Sequence, residues 1–422
     1  MSKKIIIIAI IVIAVLALAT IVYFKHSFKK CENCALSTSQ LSPFGGHICY
    51  TKECHETAKE IGIKFLRGGI GEKIIWEVVE PNLDGDYNWK NIDNAFKEVE
   101  NYGFELMETI KATNQKDQRL CHSDCRPNER CKYNPCNWDK YEDFLREAVN
   151  RYKEKIKYWQ IENEPAKGNY YWGTPEEYAE LLKKSYKVIK AECPDCKVLN
   201  AGMMYCNYVN EYHDYFPAMM KSLSGKCNST GCFDIFDIHI GESCVGDQQE
   251  RIDFSKIHST INIAYNDIIE LLSSNNIPLK PFWVSEFGPL TCKNCLGIED
   301  ALIKSYITGL EQGFEKLFWR LSEAPSWIID DNSNKTNSFY AYKTLVKQID
   351  NYTDIEKITD GQYKFTFSHK NSVYVLWCDS ELCSLPSEIQ GQVTITNYQG
   401  DKTLTNANQI KLLESPIFVE TN

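Results

Sequence analysis

From about residue 40 to residue 350 the chain alternates two hydrophobic patterns. Short apolar runs rich in β-branched and aromatic residues, at 64–67, 105–110, 158–161, 198–200, 233–238, 281–284 and 316–319, predict strands. A weaker first strand falls near 42–48. Stretches with helical spacing lie between them. Over 138–153, Tyr141, Phe144, Leu145 and Ala148 recur at i, i+3, i+4 and i+7, which puts them on one helix face. Thr174-Pro175-Glu176-Glu177 opens another helix, with Thr174 as N-cap and Pro175 at the first helical position. Alternation of strand and helix predicts a parallel sheet, and eight such units predict a closed (β/α)8 TIM barrel. After residue 350 the rhythm changes. Runs at 363–367, 373–377, 393–396 and 416–419, separated by Gly, Asn and Asp, predict a small C-terminal antiparallel β-sandwich.

The N-terminus follows a different rule. Lys3 and Lys4 precede an apolar run over residues 5–24, which at 20 residues is long enough to cross a bilayer as a helix. Lys25, Lys29 and Lys30 follow it. The run predicts a signal-anchor. A cleaved signal peptide stays open, because Ala17-Leu18-Ala19 offers an A-x-A site after an apolar region over 5–16. The chain then divides into a targeting segment (1–30), a barrel (31–350) and the β-sandwich (351–422). The expected location is the cell surface, anchored in the membrane through the N-terminal helix, or secreted if that segment is removed.

Cysteine usage agrees with export. The 18 cysteines fall mostly in short-spaced pairs: Cys31/Cys34, Cys49/Cys54, Cys121/Cys125, Cys131/Cys136, Cys193/Cys196, Cys227/Cys232, Cys292/Cys295 and Cys378/Cys383. Cys206 and Cys244 remain, follow neighbouring strands, and are expected to pair. So many thiols fit disulfides in an oxidising compartment. Cys-x-x-Cys can also supply two zinc ligands, but the pairs are scattered over different elements and form no four-ligand block, so no metal site is expected. Sequons at Asn228, Asn334 and Asn351 are compatible with the same exterior.

Net charge of −10 argues against a nucleic-acid partner, which would demand a basic patch. The 9 Trp and 24 Tyr offer rings that could stack on the C–H faces of a sugar, or fill a large core. Two carboxylates narrow the choice. One closes the strand in Trp159-Gln160-Ile161-Glu162-Asn163-Glu164-Pro165, the other the strand in Phe282-Trp283-Val284-Ser285-Glu286-Phe287-Gly288. In a barrel all strand C-termini face one mouth, so Glu164 and Glu286 would converge there. Two carboxyl groups astride a glycosidic bond, about 5–5.5 Å apart, are what cleavage with retention requires. A lone strand-end Glu would more simply be a surface cap or an ion-pair partner.

With these motifs in hand, the sequence resembles clan A of the glycoside hydrolases, near families 39 and 5. Asn-Glu-Pro at 163–165 matches the clan's strand-4 signature, and Ser-Glu-Phe-Gly around Glu286 matches its strand-7 signature. Residues 61–67, Trp76 with Glu80-Pro81, Tyr87-Asn88-Trp89 and Asp93 also fit. The resemblance implies a (β/α)8 barrel over about 42–350, Glu164 as acid/base and Glu286 as nucleophile. It further implies Asn163 as a contact to the substrate 2-hydroxyl, Arg67 as the guanidinium that keeps the nucleophile ionised, His239 at the end of strand 6, and Trp319 as a sugar-stacking platform. Arg67 could instead serve in a structural ion pair, His239 as a satisfied core residue and Trp319 in the barrel wall. Tyr170, Tyr171 and Trp172 could line subsites or anchor their loop. The chain departs from many clan members where a Tyr follows the strand-6 His: here Ile240-Gly241-Glu242 stands, which leaves the orienting role unassigned, with Glu242 or a Tyr from another loop as candidates.

The expected function is a retaining glycoside hydrolase acting on an oligo- or polysaccharide by double displacement, without a cofactor. The alternative is a catalytically inactive, glycan-binding cell-surface protein on the same barrel. Transglycosylation by the same residues is a third possibility.

Overall fold

Strand and helix alternate as the spacing predicts: β1 (Phe44–His47), α1 (Lys52–Ile61), β2 (Phe65–Arg67), α2 (Lys90–Glu100), β3 (Glu105–Lys111), α3 (Trp138–Tyr152), β4 (Ile156–Ile161), α4 (Pro175–Glu192), β5 (Lys197–Leu199), α5 (Asn210–Leu223), β6 (Phe236–Gly241), α6 (Phe254–Ser274), β7 (Phe282–Gly288), α7 (Ile298–Gln312), β8 (Lys316–Arg320) and α8 (Asn337–Ile349). The structure is a computed structural model. It describes residues 42–47, 49–68, 74–125, 131–165, 170–205, 210–241, 254–288, 297–322, 328–330, 334–380 and 383–421. The targeting segment 1–30 lies outside these residues. Among the described residues no helix is long and apolar enough to cross a membrane.

All pairings in the first sheet are parallel, in the order β5-β4-β3-β2-β1-β8-β7-β6. A parallel bridge between Leu199 and Ile235 closes the ring. Local chemistry sets the helix ends. The Thr174 hydroxyl accepts from the Glu177 N–H, while the Glu177 carboxylate accepts from the Thr174 N–H, a capping box that starts α4. Gly62, at φ +96°, ends α1 in the left-handed region that a side chain would strain.

Period-two alternation sorts each strand's side chains between the barrel interior and the strand–helix layer. Phe65, Met107, Leu199, Ile235, Trp283 and Phe318 form one interior cluster, all at most 3% exposed. Gly45 on β1 lies against it: a Cβ there would sit 2.5 Å from the Phe318 ring, so the ring fills the space that a β1 side chain would take. Residues two further along β2, β3, β6 and β8 share this inward face, which places Arg67, Thr109, Asp237 and Arg320 inside the barrel near its C-terminal mouth.

The C-terminal region departs from the sandwich expected. It is one six-stranded antiparallel sheet, β9 (Asp354–Thr359), β10 (Gln362–Thr366), β11 (Val373–Leu376), β12 (Gln392–Thr396), β13 (Lys402–Asn406) and β14 (Ile417–Thr421), in the order β9-β10-β11-β14-β12-β13. One face, with Tyr363, Phe365, Val373, Val375 and Phe418, joins the apolar cluster of the barrel helices. The other face, with Tyr374, Leu376, Val393 and Val419, is covered by Ile389 and Leu412 from the sheet's own connections. Those connections take the place of a second sheet. The edge strands β9 and β13 are mostly exposed, so their sequences carry little apolar alternation.

Six disulfide bonds lie among the described residues, which fits an oxidising compartment. Cys49–Cys54, Cys193–Cys196, Cys227–Cys232 and Cys378–Cys383 pair as their spacing suggests. The other two do not. Cys121 bonds Cys136 and Cys125 bonds Cys131, a nested pair in place of Cys121/Cys125 and Cys131/Cys136. The cause is Asp117, whose carboxylate accepts from the backbone N–H groups of Cys136 (2.6 Å) and Asn137 (2.9 Å) and so folds the chain back on the turn before Cys121. Cys31, Cys34, Cys206, Cys244, Cys292 and Cys295 lie outside the described residues. Non-reduced peptide mapping is expected to recover Cys121–Cys136 and Cys125–Cys131. Recovery of Cys121–Cys125 would contradict the nested arrangement, and free thiols with bound zinc would contradict disulfides altogether.

Candidate active site

β7 carries a register shift where its pairing with β6 passes from Ile238–Val284 to His239–Glu286. Such a bulge inserts one residue and re-aims the side chains beside it. Trp283 and Ser285 face the interior by alternation; the extra residue brings Glu286 inward as well, instead of out into the helix layer. There Glu286 is 6% exposed, with two arginines and two histidines around it. Arg67 Nη1 donates to its Oε1 at 2.6 Å, and Arg320 Nη2 donates to its Oε2 at 3.1 Å. His47 Nε2 and His239 Nδ1 stand 3.3 and 3.7 Å from Oε1. Burial pushes this carboxyl up, but the positive field of His239, His47 and Arg67 outweighs it and holds the group well below the usual carboxylate range.

Glu164 faces it from the turn after β4. That turn places two non-glycine residues in the left-handed region, Glu162 at φ +63° and Glu164 at φ +39°. Such residues cost about 1–3 kcal/mol each and persist where the surroundings over-determine them. Here the Glu162 N–H donates to Ile110 O and the Glu164 N–H to Gly202 O, both at 2.9 Å. Glu162 Oε1 accepts from the Ala112 N–H at 2.6 Å. Gly202 must lack a side chain, because a Cβ would come 2.2 Å from His239 Nε2. His239 Nδ1 in turn lies 2.8 Å from Glu164 Oε1. One ligating atom from each of Glu164, His239 and Glu286 falls within 4.8 Å of the others, so one oxygen of each carboxylate lies within that distance of the other across the mouth.

Arg67 organises the floor beneath them. Its Nε and Nη2 donate to Gln160 Oε1 at 3.1 and 2.8 Å, and Nη2 also donates to Asn163 Oδ1. Gln160 passes the connection to Asp237, which also accepts from the Ser285 backbone N–H (3.0 Å) and hydroxyl (2.6 Å). Complete burial pushes Asp237 up to about 6, against the pull of His239 and Arg67. The network therefore ties β2, β4, β6 and β7 together under the two glutamates.

The expected set Glu164, Glu286, Arg67, Asn163 and His239 is brought together. Trp319 is placed differently. It is 1% exposed and packs against Phe287 and Tyr306, at ring centroid distances of 5.7 and 6.4 Å. Phe318 fills the interior, so its neighbour Trp319 must face the helix layer, a placement that fits wall packing and not a stacking platform. Arg320, on the inward side, reaches the mouth instead. Tyr171 is a loop anchor, 1% exposed and donating to Asn134 Oδ1 at 2.5 Å, whereas Tyr170 is 46% exposed. Glu242 lies outside the described residues, and among those described no Tyr hydrogen-bonds Glu286. His47, Arg320, Gln160 and Asp237 were not singled out from the sequence. Period-two alternation from Phe318 and Ile235 would have marked Arg320 and Asp237, once those two residues were known to face inward.

No protein-family model and no curated protein matches this sequence. Among solved structures it is similar to a family 39 glycoside hydrolase from the gut symbiont Bacteroides cellulosilyticus WH2, at a TM-score of 0.65 and 16% identity over 90% of this chain and 81% of that one. A glucosidase from Croceicoccus marinus gives a TM-score of 0.62 at 12% identity, covering 90% and 95%. A family 30 subfamily 8 xylanase from Clostridium acetobutylicum gives 0.58 at 13% identity, covering 90% and 96%. The chain has the barrel fold of these glycoside hydrolases.

Proposed function

We propose that the protein is a retaining glycoside hydrolase acting on an oligo- or polysaccharide, with Glu286 as nucleophile and Glu164 as acid/base. The observation that carries this reading is the approach of the two carboxylates to within 4.8 Å in unlike surroundings. Inverting enzymes hold theirs about 6.5–9.5 Å apart, to admit a water between carboxylate and sugar, whereas direct attack needs the shorter spacing. Glu286, held ionised by Arg67 and its neighbours, attacks the anomeric carbon and forms a glycosyl-enzyme. Glu164 gives its proton to the departing oxygen as that bond breaks. Glu164 then takes a proton from water, whose oxygen displaces Glu286 and frees the sugar with net retention. His239, 2.8 Å from Glu164, is suited to orient it. Asn163 spends its amide oxygen on Arg67, which leaves the amide nitrogen for a sugar hydroxyl.

The similar structures are named as a glycoside hydrolase, a glucosidase and a xylanase, which supports a glycosidic bond as the target. The disulfides support a site of action outside the cytosol. Anchoring through residues 1–30 completes the proposal. The test is a panel of aryl glycosides and polysaccharides incubated with the full chain, the first-formed anomer being read by NMR. Retained configuration is expected. An inverted product would exclude Glu286 as a nucleophile, and an inert protein would favour glycan binding without turnover.

A further inference from the structure

We infer that the wall of the mouth built by the ends of β3 and β4 takes an acidic sugar unit, one carrying a carboxylate or sulfate. This deepens the proposed function, and it rests on the reading that the mouth receives a glycan. Lys111 closes β3. It lies two residues beyond Thr109 and shares the inward face of Thr109 and Met107. It is 8% exposed, yet its ammonium donates no hydrogen bond to any described residue. Its ion pair is long, 3.9 Å to Glu162 Oε2. An ammonium carries three donors, and one on a largely buried side chain gains from an anion that accepts from them. A neighbouring like charge adds to the demand. Tyr170 sits with its ring 4.6 Å from the Lys111 Nζ and 5.5 Å from the Lys132 Nζ. Lys132 also lies 5.5 Å from the Trp172 ring. Two ammonium groups thus flank one exposed aromatic ring in a chain whose net charge is −10. An anion bound at the Lys111 ammonium accepts from its donors and offsets the like charge of Lys132 nearby.

Covalent and backbone links tie the described residues of this wall together. Lys132 follows Cys131, which is bonded to Cys125 inside the Cys121–Cys136 bridge. The Trp172 N–H donates to the Lys132 carbonyl at 2.7 Å and so fastens the loop after β4 to the loop after β3.

Affinity electrophoresis of the full chain tests the inference with matched polymers: polygalacturonate against its methyl ester for the carboxylate, and dextran sulfate against dextran for the sulfate. Tighter retention by at least one acidic polymer than by its neutral partner is expected. Lys111→Met and Lys132→Gln should each weaken that retention by about tenfold, the loss of one charge-assisted hydrogen bond. Lys111→Arg should keep most of it. Equal retention by acidic and neutral partners would overturn the inference. So would acidic retention untouched by either substitution, since that marks adsorption elsewhere on the surface. Should Lys111→Met lower the melting temperature sharply, Lys132→Gln alone decides. Binding is read without turnover, so the two readings fail separately. Lysine-dependent acidic binding without hydrolysis would remove the hydrolase and keep the site, whereas hydrolysis confined to neutral glycans would do the reverse.

Discussion

Glu286→Gln is expected to abolish turnover of every glycoside that the wild type cuts, by a factor on the order of 10^6, as losing a nucleophile does in other double-displacement enzymes. Gln fits the same space and can still accept from Arg67, so the fold should survive, but the amide cannot form the glycosyl-enzyme. Glu164→Ala should behave differently. It removes the proton donor, worth about 10²–10⁴-fold, and the loss should shrink for dinitrophenyl glycosides, whose leaving group needs no proton. The second step then becomes limiting. Added azide should restore it and yield a glycosyl azide of retained configuration, because a small anion fits the space left by the carboxylate and needs no general base. Equal losses on all substrates, with no azide product, would take the acid/base role away from Glu164. Full activity in both variants on a natural glycan would end the assignment whatever the fold.

Arg67→Met should produce the next largest effect, in two measurable forms. Arg67 is 1% exposed and donates to Glu286, Gln160 and Asn163. Removing one partner of a buried ion pair costs about 3–5 kcal/mol, so a clear fall in thermal stability is expected. The second form is in the pH profile. Glu286 is held low by His239, His47 and Arg67 against the opposing effect of burial. Without the guanidinium its pKa rises, by about 1–3 units for the loss of an adjacent opposite charge. The acid limb of kcat/KM should therefore move to higher pH, while the alkaline limb stays. The stability of the wild type carries the same sign. A carboxyl whose folded pKa is depressed contributes stability that is complete above its unfolded value, near 4.5, and is lost as the pH falls toward the folded value. Arg67→Met should flatten that acid loss. Arg67→Lys keeps one charge but cannot span Glu286, Gln160 and Asn163 at once, so it should restore part of the pH profile and little of the stability. An unchanged acid limb in Arg67→Met would mean that Arg67 holds the floor together without tuning the nucleophile.

What could be read from the chain and what could not divides along a physical line. Strand positions were legible because a buried strand of four to seven residues must be a continuous apolar run between polar helical stretches. The observed β3, β4, β7 and β8 lie within two residues of those expected at either end, apart from β7, which runs on through Glu286 to Gly288. Glu164 and Glu286 were legible as a pair, because two acids that end apolar strands of one barrel meet at its mouth, whereas one alone reads as a cap or an ion-pair partner. Which of two adjacent residues points inward was not legible. In a barrel strand both faces are buried in apolar surroundings, so the sequence around Phe318, Trp319 and Arg320 looks alike from either side. Closure of the ring, with Phe318 over Gly45, decides that Arg320 faces Glu286 and Trp319 faces the helices.

The same limit applies to other parts of the site and fold. A bulge in β7 sets the aim of Glu286, and it exists only in relation to the partner strand β6. His47, at the end of β1 and paired with Arg67 on β2 and Arg320 on β8, becomes a neighbour of Glu286 only when β1 joins β2 to β8 in the barrel. The nested disulfides follow from Asp117 capturing the backbone of Cys136 and Asn137, a contact that cysteine spacing does not encode. By itself the sequence determined the periodicity, and through it the alternating fold and the two carboxylates that end its strands. The resemblance carried by the sequence motifs already pointed to Arg67 and His239; the tertiary structure alone brought His47 and Arg320 to Glu286, because ring closure and register join residues whose meeting leaves no local trace in the chain.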